Sequence, residues 1–379
     1  MLKIATIVGA RPQFIKAASV SNTIREKFAD QIQEIIIHSG QHYDFNMSEV
    51  FFNQLNVPTP DFFLNVGSSS HAVQTAEMMI AIESVLLEIN PDMVLVYGDT
   101  NTTLAGALTA SKLNIPVIHI EAGLRSFNKN EPEEQNRILT DHISTYLFCP
   151  TKQATLNLEK ENFNLDSNSH HAINHPLVSN VGDVMYDLFL KFKSKIDTYP
   201  KNIYFNNKPF ILATIHRAGN VQDKKNLEGI LKSILGLADG GDNILIPFHP
   251  GTLKMINEMM DTELKDSILN HPKIIVCEPL SYLDLIQVLD DTFLVMTDSG
   301  GLQKEAYFSR KPCVVLRNET EWIELIENNF AILGGNNEIS IWEAVKKAKE
   351  ISIPTTSNLY GNGDACEKIC NALLKQLSN

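Results

Sequence analysis

The densest group of chemically capable residues is Asp298-Ser299-Gly300-Gly301-Leu302-Gln303-Lys304-Glu305, directly after an apolar run at 293–297. Paired glycines let backbone N–H groups approach a ligand closely, and the helix that follows turns its positive end toward phosphate. Glu305 falls about two turns into that helix, where a carboxylate can accept from ribose hydroxyls. The pattern therefore suits a nucleoside diphosphate held without a metal. Two further apolar runs, 210–215 and 244–248, end in His216-Arg217 and His249-Pro250-Gly251, which puts cations where an anionic ligand would lie. In the first half of the chain, the run 4–8 leads into Gly9-Ala10-Arg11-Pro12-Gln13-Phe14-Ile15-Lys16. Pro12 suits a first helical turn, and Arg11 and Lys16 add charge at its positive end. Other exits carry His38-Ser39-Gly40-Gln41-His42, Gly98-Asp99-Thr100-Asn101 and Glu121-Ala122-Gly123-Leu124-Arg125, with Glu131-Pro132-Glu133-Glu134-Gln135-Asn136-Arg137 soon after. Asp99 can serve as a helix cap or as an acid, and Glu133 and Glu134 can complement a helix dipole. Carboxylates at or just beyond neighbouring strand ends also form a set suited to acid/base work.

Such residues converge only if parallel strands present them along one edge. Short, β-branched apolar runs recur at 4–8, 34–38, 93–97, 116–120 and 146–149, and again at 210–215, 244–248, 273–277, 293–297 and 312–316, with helix-like stretches between them. Their near-continuous apolarity predicts strands covered on both faces, and so two Rossmann-like α/β domains with parallel sheets. Ligands of such sheets lie at the carboxyl ends of the strands. Residues 166–179 have loop composition, which places the boundary near 180–186 and gives domains of 1–182 and 183–360. Residues 191–208 read as a solvated connection. The turn Tyr360-Gly361-Asn362-Gly363 precedes a last helix expected at 364–377.

The length of 379 residues agrees with two domains. Acidic residues outnumber basic ones 45 to 32, which disfavours a nucleic-acid or anionic-membrane surface. No apolar stretch approaches the ~20 residues needed to span a bilayer, and the amino terminus does not read as a signal peptide. The five cysteines contain no CxxC pair, so neither a zinc knuckle nor a disulfide framework is expected, and a reducing cytoplasm is. Cys149, Cys277 and Cys313 read as small core residues. Neither GxGxxG nor GxxxxGK[ST] occurs, so no NAD or NTP fingerprint is present and no cofactor is expected. We expect a homodimer with a small-molecule partner.

Taken in order, GARPQFIK, HSGQH, YGDTNTT, HIEAGLR, PEEQNR, TIHR, TDSGGLQKEA and YGNGDA resemble the non-hydrolysing UDP-N-acetylglucosamine 2-epimerases of bacteria and archaea. The resemblance spans nearly the whole chain. It implies a glycosyltransferase-B type fold with the UDP-sugar in the interdomain cleft and the final helix returning toward the first domain. It also implies that Asp99, Glu121 and Glu133 are the catalytic carboxylates and His216 the catalytic-site histidine. By the same match Arg11 and Lys16 are cations near the reacting sugar and diphosphate, Ser299, Gly300 and Gly301 form the phosphate turn, and Glu305 holds the ribose. Gln41 and His42 match a region that receives an activating second UDP-sugar in some bacterial members. Two segments depart from the family. GARPQFIK stands where GTRPEAIK is common, and Glu319-Thr320-Glu321-Trp322-Ile323-Glu324 stands in place of TERPE, so Trp322 replaces an arginine. The pattern is similar to the branch acting on UDP-2,3-diacetamido-2,3-dideoxyglucuronate, made for surface polysaccharides.

C2 of an N-acetylhexosamine is not next to a carbonyl, so its proton is not acidic in the ground state. Departure of UDP from C1 acidifies it. The resemblance implies anti elimination to a 2-acetamidoglucal plus UDP, then readdition with protonation on the opposite face, a route that needs no NAD. Two-faced chemistry requires at least two acid/base groups, and cations would stabilise the departing diphosphate. The competing readings are a hydrolysing epimerase releasing N-acetylmannosamine, a glycosyltransferase of the same fold, and a nucleotide-sugar sensor without turnover. The sensor would not need three carboxylates.

Overall fold

The computed structural model describes residues 1–40, 58–165 and 171–375. Gln41 and His42, and the side chain of Arg11, lie outside what is described. Two compact units result: residues 1–191 with 358–379, and residues 192–357.

The first unit is built on a seven-stranded, wholly parallel sheet. In chain order its strands are β1 (Leu2–Val8), β2 (Ile32–His38), β3 (Phe62–Phe63), β4 (Met93–Tyr97), β5 (Val117–Ile120), β6 (Tyr146–Cys149) and β7 (Leu177–Asn180). They lie side by side as β3-β2-β1-β4-β5-β6-β7, so the order reverses between β1 and β4. The continuous apolarity of these strands has a simple cause. Leu2, Ile4 and Val8 of β1 and Met93, Leu95 and Tyr97 of β4 enter one core, whereas Ala5, Ile7, Val94 and Val96 enter the core on the opposite face. Alternate side chains leave opposite faces of a strand, and both faces here are covered. The helix Ala365–Lys375 supplies Cys366, Ile369, Cys370 and Leu373 to the first of these cores. At the β1 exit the chain runs so close to its neighbours that a Cβ on Gly9 would stand 2.0 Å from Ser39 Oγ and 2.3 Å from Thr102 Oγ1. A side chain there would push apart these two hydroxyls, which hydrogen-bond each other at 2.8 Å.

The second unit repeats the plan with β8 (Ile211–Thr214), β9 (Ile244–Pro247), β10 (Ile274–Cys277), β11 (Leu294–Thr297), β12 (Cys313–Val315) and β13 (Ala331–Leu333), ordered β10-β9-β8-β11-β12-β13 and all parallel. Its switch point lies between β8 and β11. The fold is α/β of the glycosyltransferase-B type.

The sequence reading missed three strands. β3 and β13 are edge strands of two and three residues. β7 occupies the end of the passage expected to be loop; its Leu-Val-Ser-Asn mixes two buried apolar residues with two polar ones because it forms the sheet's other edge. The division between units falls at 191/192 rather than 182/183, since the helix Val184–Lys193 starts inside the first unit's core with Val184 and Asp187 accepts from the backbone N–H of Cys366. The stretch expected as a solvated connection buries Ile196. Cys149 and Cys313 are core residues, and Cys277 is half-buried.

Candidate active site

The sheet of the first unit delivers its polar residues at the carboxyl edge, beside the β1/β4 switch. Lys16 lies on the helix Arg11–Lys27 that leaves β1, and its Nζ is 2.5 Å from Glu121 Oε2 at the β5 exit. Both residues are buried, so the pair has lost most of its water. Breaking such a pair from one side typically costs about 3–5 kcal/mol, because a charge is left unpaired. The same ammonium stands 3.0 Å from where a Cβ on Gly98 would sit, which brings Lys16 against the β4 turn that carries Asp99. Glu121 has φ of +73°, a left-handed conformation uncommon outside glycine. Strain of this kind persists where neighbours fix the backbone; here the N–H groups of Glu121 and Ala122 both donate to Phe148 O.

Asp99 Oδ2 is 2.7 Å from Arg137 Nη2, and Arg137 Nη1 is 2.7 Å from Glu134 Oε2. Asn136 donates to Asp99 O at 2.9 Å. Asp99 is not a helix cap: the helix Asn101–Lys112 is capped by Thr100, whose side chain accepts from Thr103 N. Glu134 is buried and accepts from the backbone of Ser126 and Phe127 as well as from Arg137. Glu133, next to it in the first turn of the helix Pro132–Ile143, is exposed. The two adjacent acids thus differ sharply: one organises a loop, the other faces solvent. Arg137 closes the segment PEEQNR, and its position three residues after Glu134 on a helix is the sequence signal for this pair.

Two departures from the family pattern acquire a physical reading. Gln13 Oε1 accepts from Gly9 N at 2.9 Å and Ala10 N at 3.0 Å, while its Nε2 donates to Tyr97 O and Thr103 Oγ1, both at 3.0 Å. An amide can do both and a carboxylate only the first pair. Trp322, in place of an arginine, is buried with Lys304 Nζ 4.3 Å from its ring centroid.

His38 of the HSGQH segment is a core residue. It stacks between Phe14 and Phe63, with ring centroids 5.0 and 5.3 Å away, and its Nδ1 accepts from Gly40 N at 2.8 Å. Burial pushes its pKa down to about 4, against a backbone hydrogen bond that raises it. A base whose folded pKa is depressed takes up protons more readily when unfolded, so its contribution is full above about pH 6.5 and is lost as the pH falls toward about 4. The shift corresponds to about 3 kcal/mol at most. Urea denaturation from pH 7 to 4 should therefore fall more steeply for the native protein than for His38→Leu; parallel curves would refute this.

In the second unit, Asp298 is fully buried just beyond β11 and fastens the β8 exit. It accepts from the backbone N–H groups of His216 (3.1 Å) and Arg217 (3.0 Å) and from Asn220 Nδ2 (3.1 Å). His216 Nδ1 lies 3.4 Å from Asp298 Oδ1, and its ring is about half exposed. Ser299 caps the helix Gly300–Phe308 by accepting from Leu302 N, and Glu305 is buried on the second turn. A Cβ on Gly300 would meet Glu321 Oε1 at 2.2 Å, so a side chain there would displace that carboxylate. Glu321 pairs with Arg317 Nη1 at 2.9 Å and lies 3.6 Å from Arg217 Nη2. His249 caps the helix Pro250–Met259 through Nδ1, which accepts from Gly251 N, and its ring is otherwise exposed. Asp298, Arg317 and Glu321 were not singled out from the sequence, although Asp298 opens the motif that was.

Acids and cations gathered at one switch point, with a glycine turn at another, match a known family over most of the chain: the sequence model of UDP-N-acetylglucosamine 2-epimerase fits residues 25–374. The chain belongs to this epimerase family. Its relatives include a UDP-N-acetylglucosamine 2-epimerase homolog of Methanococcus maripaludis, 46% identical over 98% of this chain and 99% of the other. The UDP-2,3-diacetamido-2,3-dideoxy-D-glucuronate 2-epimerase of Pseudomonas aeruginosa is 44% identical over 99% of this chain and 100% of that epimerase. Among solved structures, the UDP-GlcNAc 2-epimerase of Methanocaldococcus jannaschii in complex with UDP-GlcNAc and UDP superimposes with a TM-score of 0.85 at 38% identity, covering 99% of this chain and 100% of the other.

Proposed function

We propose that the protein epimerises a UDP-2-acetamido sugar at C2, interconverting the gluco and manno forms by eliminating and readding UDP. The observation that carries this reading is the carboxyl edge of the first sheet, where Asp99 and Glu121 stand at adjoining strand ends with the Lys16 ammonium against Glu121. A base removes the C2 proton as the C1–O bond breaks, the bonding pair leaves with UDP, and C1=C2 forms. Readdition of the diphosphate oxygen to C1 with protonation of C2 from the other face completes the cycle. No net oxidation occurs, so no redox cofactor enters. Asp99, Glu121 and Glu133 supply the acid/base groups; Lys16, Arg11, His216 and Arg217 offset charge on the departing diphosphate, with His249 contributing through its exposed ring. Gly300 and Gly301 admit the phosphates to the helix N-terminus that Ser299 caps, and Glu305 accepts from the ribose.

Incubation with UDP-N-acetylglucosamine, and separately with its 3-acetamido uronate analogue, in deuterated water tests the reading. C2 deuteration with the UDP-sugar retained is expected. Release of free N-acetylmannosamine would indicate hydrolysis, and absence of exchange with both sugars would refute epimerisation. The second reading, a diacetamido uronate substrate for surface polysaccharide, is favoured by Trp322 in place of the family arginine and by the Pseudomonas relative; a clear preference for the neutral sugar would overturn it.

Glu305→Ala should weaken UDP binding by about 1–3 kcal/mol, the cost of one ribose hydrogen bond and its desolvation, without unfolding the protein. Unchanged affinity by calorimetry would place the ribose elsewhere. All five cysteines are free thiols, which supports a reducing cytoplasm as the working compartment. The helix His71–Ile89 leaves Val73, Ile80 and Leu87 exposed at seven-residue spacing, an apolar stripe that supports a homodimer. Light scattering should give twice the chain mass; a monomer at micromolar concentration would count against it.

A further inference from the structure

His119, on β5, is fully buried and is not part of any acid/base or binding set described above. Its two ring nitrogens both have partners. Nε2 is 2.8 Å from Gly98 O, and Nδ1 is 2.7 Å from Asp141 Oδ1. A backbone carbonyl only accepts, so Nε2 carries a hydrogen, and a second hydrogen lies between Nδ1 and Oδ1. The other carboxylate oxygen, Asp141 Oδ2, accepts from Gly123 N at 3.1 Å and from Arg125 Nη1 at 2.7 Å. Burial opposes ionisation of Asp141, but its bonds to His119 and Arg125 outweigh it and hold the pKa below the usual value. Arg125 is anchored in turn by a two-pronged pair with Glu161, at 2.6 and 2.8 Å.

What these bonds connect matters more than their number. Gly98 immediately precedes Asp99, and Gly123 lies two residues after Glu121, whose φ of +73° needs a fixed backbone. The ladder continues across the same point, with Gly98 N donating to Ile120 O. The His119–Asp141 unit thus ties the turn bearing one carboxylate to the turn bearing the other, from beneath. We infer that His119 is a positioning residue that sets Asp99 against Glu121 through its hydrogen bond to Gly98 O, with Asp141, which Gly123 N and Arg125 also hold, as its anchor. This rests on the proposed acid/base roles of those carboxylates. A reaction that removes a proton from one face and returns it to the other depends on the mutual placement of two groups, and an error near 1 Å costs about 10²-fold in rate.

The two halves of the unit can be separated. The side-chain amide of glutamine places its nitrogen near Nε2 of histidine, and that of asparagine near Nδ1. His119→Gln therefore keeps the donor to Gly98 O, whereas His119→Asn keeps only the donor to Asp141. The expected result is a kcat lowered by about 10–100-fold in His119→Asn with KM and UDP affinity nearly unchanged, and a kcat within about threefold of the parent in His119→Gln. A purely structural histidine would instead make both variants lose activity in step with their melting temperatures, and that outcome overturns the inference. So does an undiminished kcat in His119→Asn. If His119→Asn does not fold, His119→Gln decides alone: folded and active supports the inference, folded with the loss seen for Asp99→Asn overturns it. The reading of function is tested separately by the unsubstituted protein. Failure of that protein to exchange the C2 proton would remove the function and this inference together, whereas exchange in the parent and an equal rate in His119→Asn would remove only the inference.

Discussion

Asp99→Asn, Glu121→Gln and Glu133→Gln are each expected to slow C2 proton exchange by about 10²–10⁴-fold, the usual contribution of a positioned acid or base, while UDP affinity stays within about twofold. The separation follows from where the groups sit. The carboxylates belong to the first unit, and the glycine turn and Glu305 proposed to hold the nucleotide belong to the second. Melting temperature should distinguish the three variants even where their rates agree. Asp99 is about a third exposed and does not cap a helix, so losing its charge costs only the screened share of its pair with Arg137, at most about 1 kcal/mol. Glu121→Gln leaves the Lys16 ammonium buried without its partner and should cost about 3 kcal/mol or more. Glu133 is exposed, so its substitution should leave stability within about 0.5 kcal/mol. A variant that loses rate without losing stability is the decisive one, and Glu133→Gln and Asp99→Asn are placed to give it. Normal exchange in all three would refute the acid/base assignment.

The residues at the strand exits were legible because doubly wound sheets place ligand contacts there and because the strands announce themselves by unbroken apolarity. Glu121 could be found in this way, since a glutamate directly after Val-Ile-His-Ile has little structural use. Its left-handed backbone could not, because φ depends on the Phe148 carbonyl that holds two successive N–H groups from a neighbouring strand. The distinction between Glu133 and Glu134 was equally hidden. Both lie in one first turn, and which of them is buried is decided by the chain at Ser126 and Phe127 folding back over Glu134. Short edge strands escaped for a different reason. Phe62–Phe63 and Ala331–Leu333 are paired along one side only, so two or three residues suffice and no alternating pattern has room to develop. His119 illustrates the limit most clearly. Read along the chain it is a polar interruption of an apolar strand; its meaning lies in Gly98 and Asp141, 21 and 22 residues away.

Asp298→Ala is expected to destabilise the second unit by about 4 kcal/mol and to weaken UDP binding by at least about tenfold, because one carboxylate terminates the hydrogen bonds of three donors. Hydrogen bonds to a charged acceptor contribute about 1.5–3 kcal/mol each, and buried donors left unpaired bear the full cost of desolvation. The donors are the backbone N–H groups of His216 and Arg217 and the Asn220 amide, which also donates to Leu316 O at 2.9 Å. Asp298 therefore joins the β8 exit to β11 across the switch point, and Asn220 extends the tie to the end of β12. Without the carboxylate, His216 and Arg217 lose the backbone anchors that aim them. Asp298→Asn keeps the shape and one acceptor but turns an NH₂ group toward N–H donors, so it should lie between the parent and the alanine variant in both properties. Urea denaturation combined with UDP calorimetry on the two variants measures this directly. If stability falls but UDP affinity does not, Asp298 holds the fold without aiming the cations; if neither changes, the three-donor staple at the switch point does not contribute as its geometry requires.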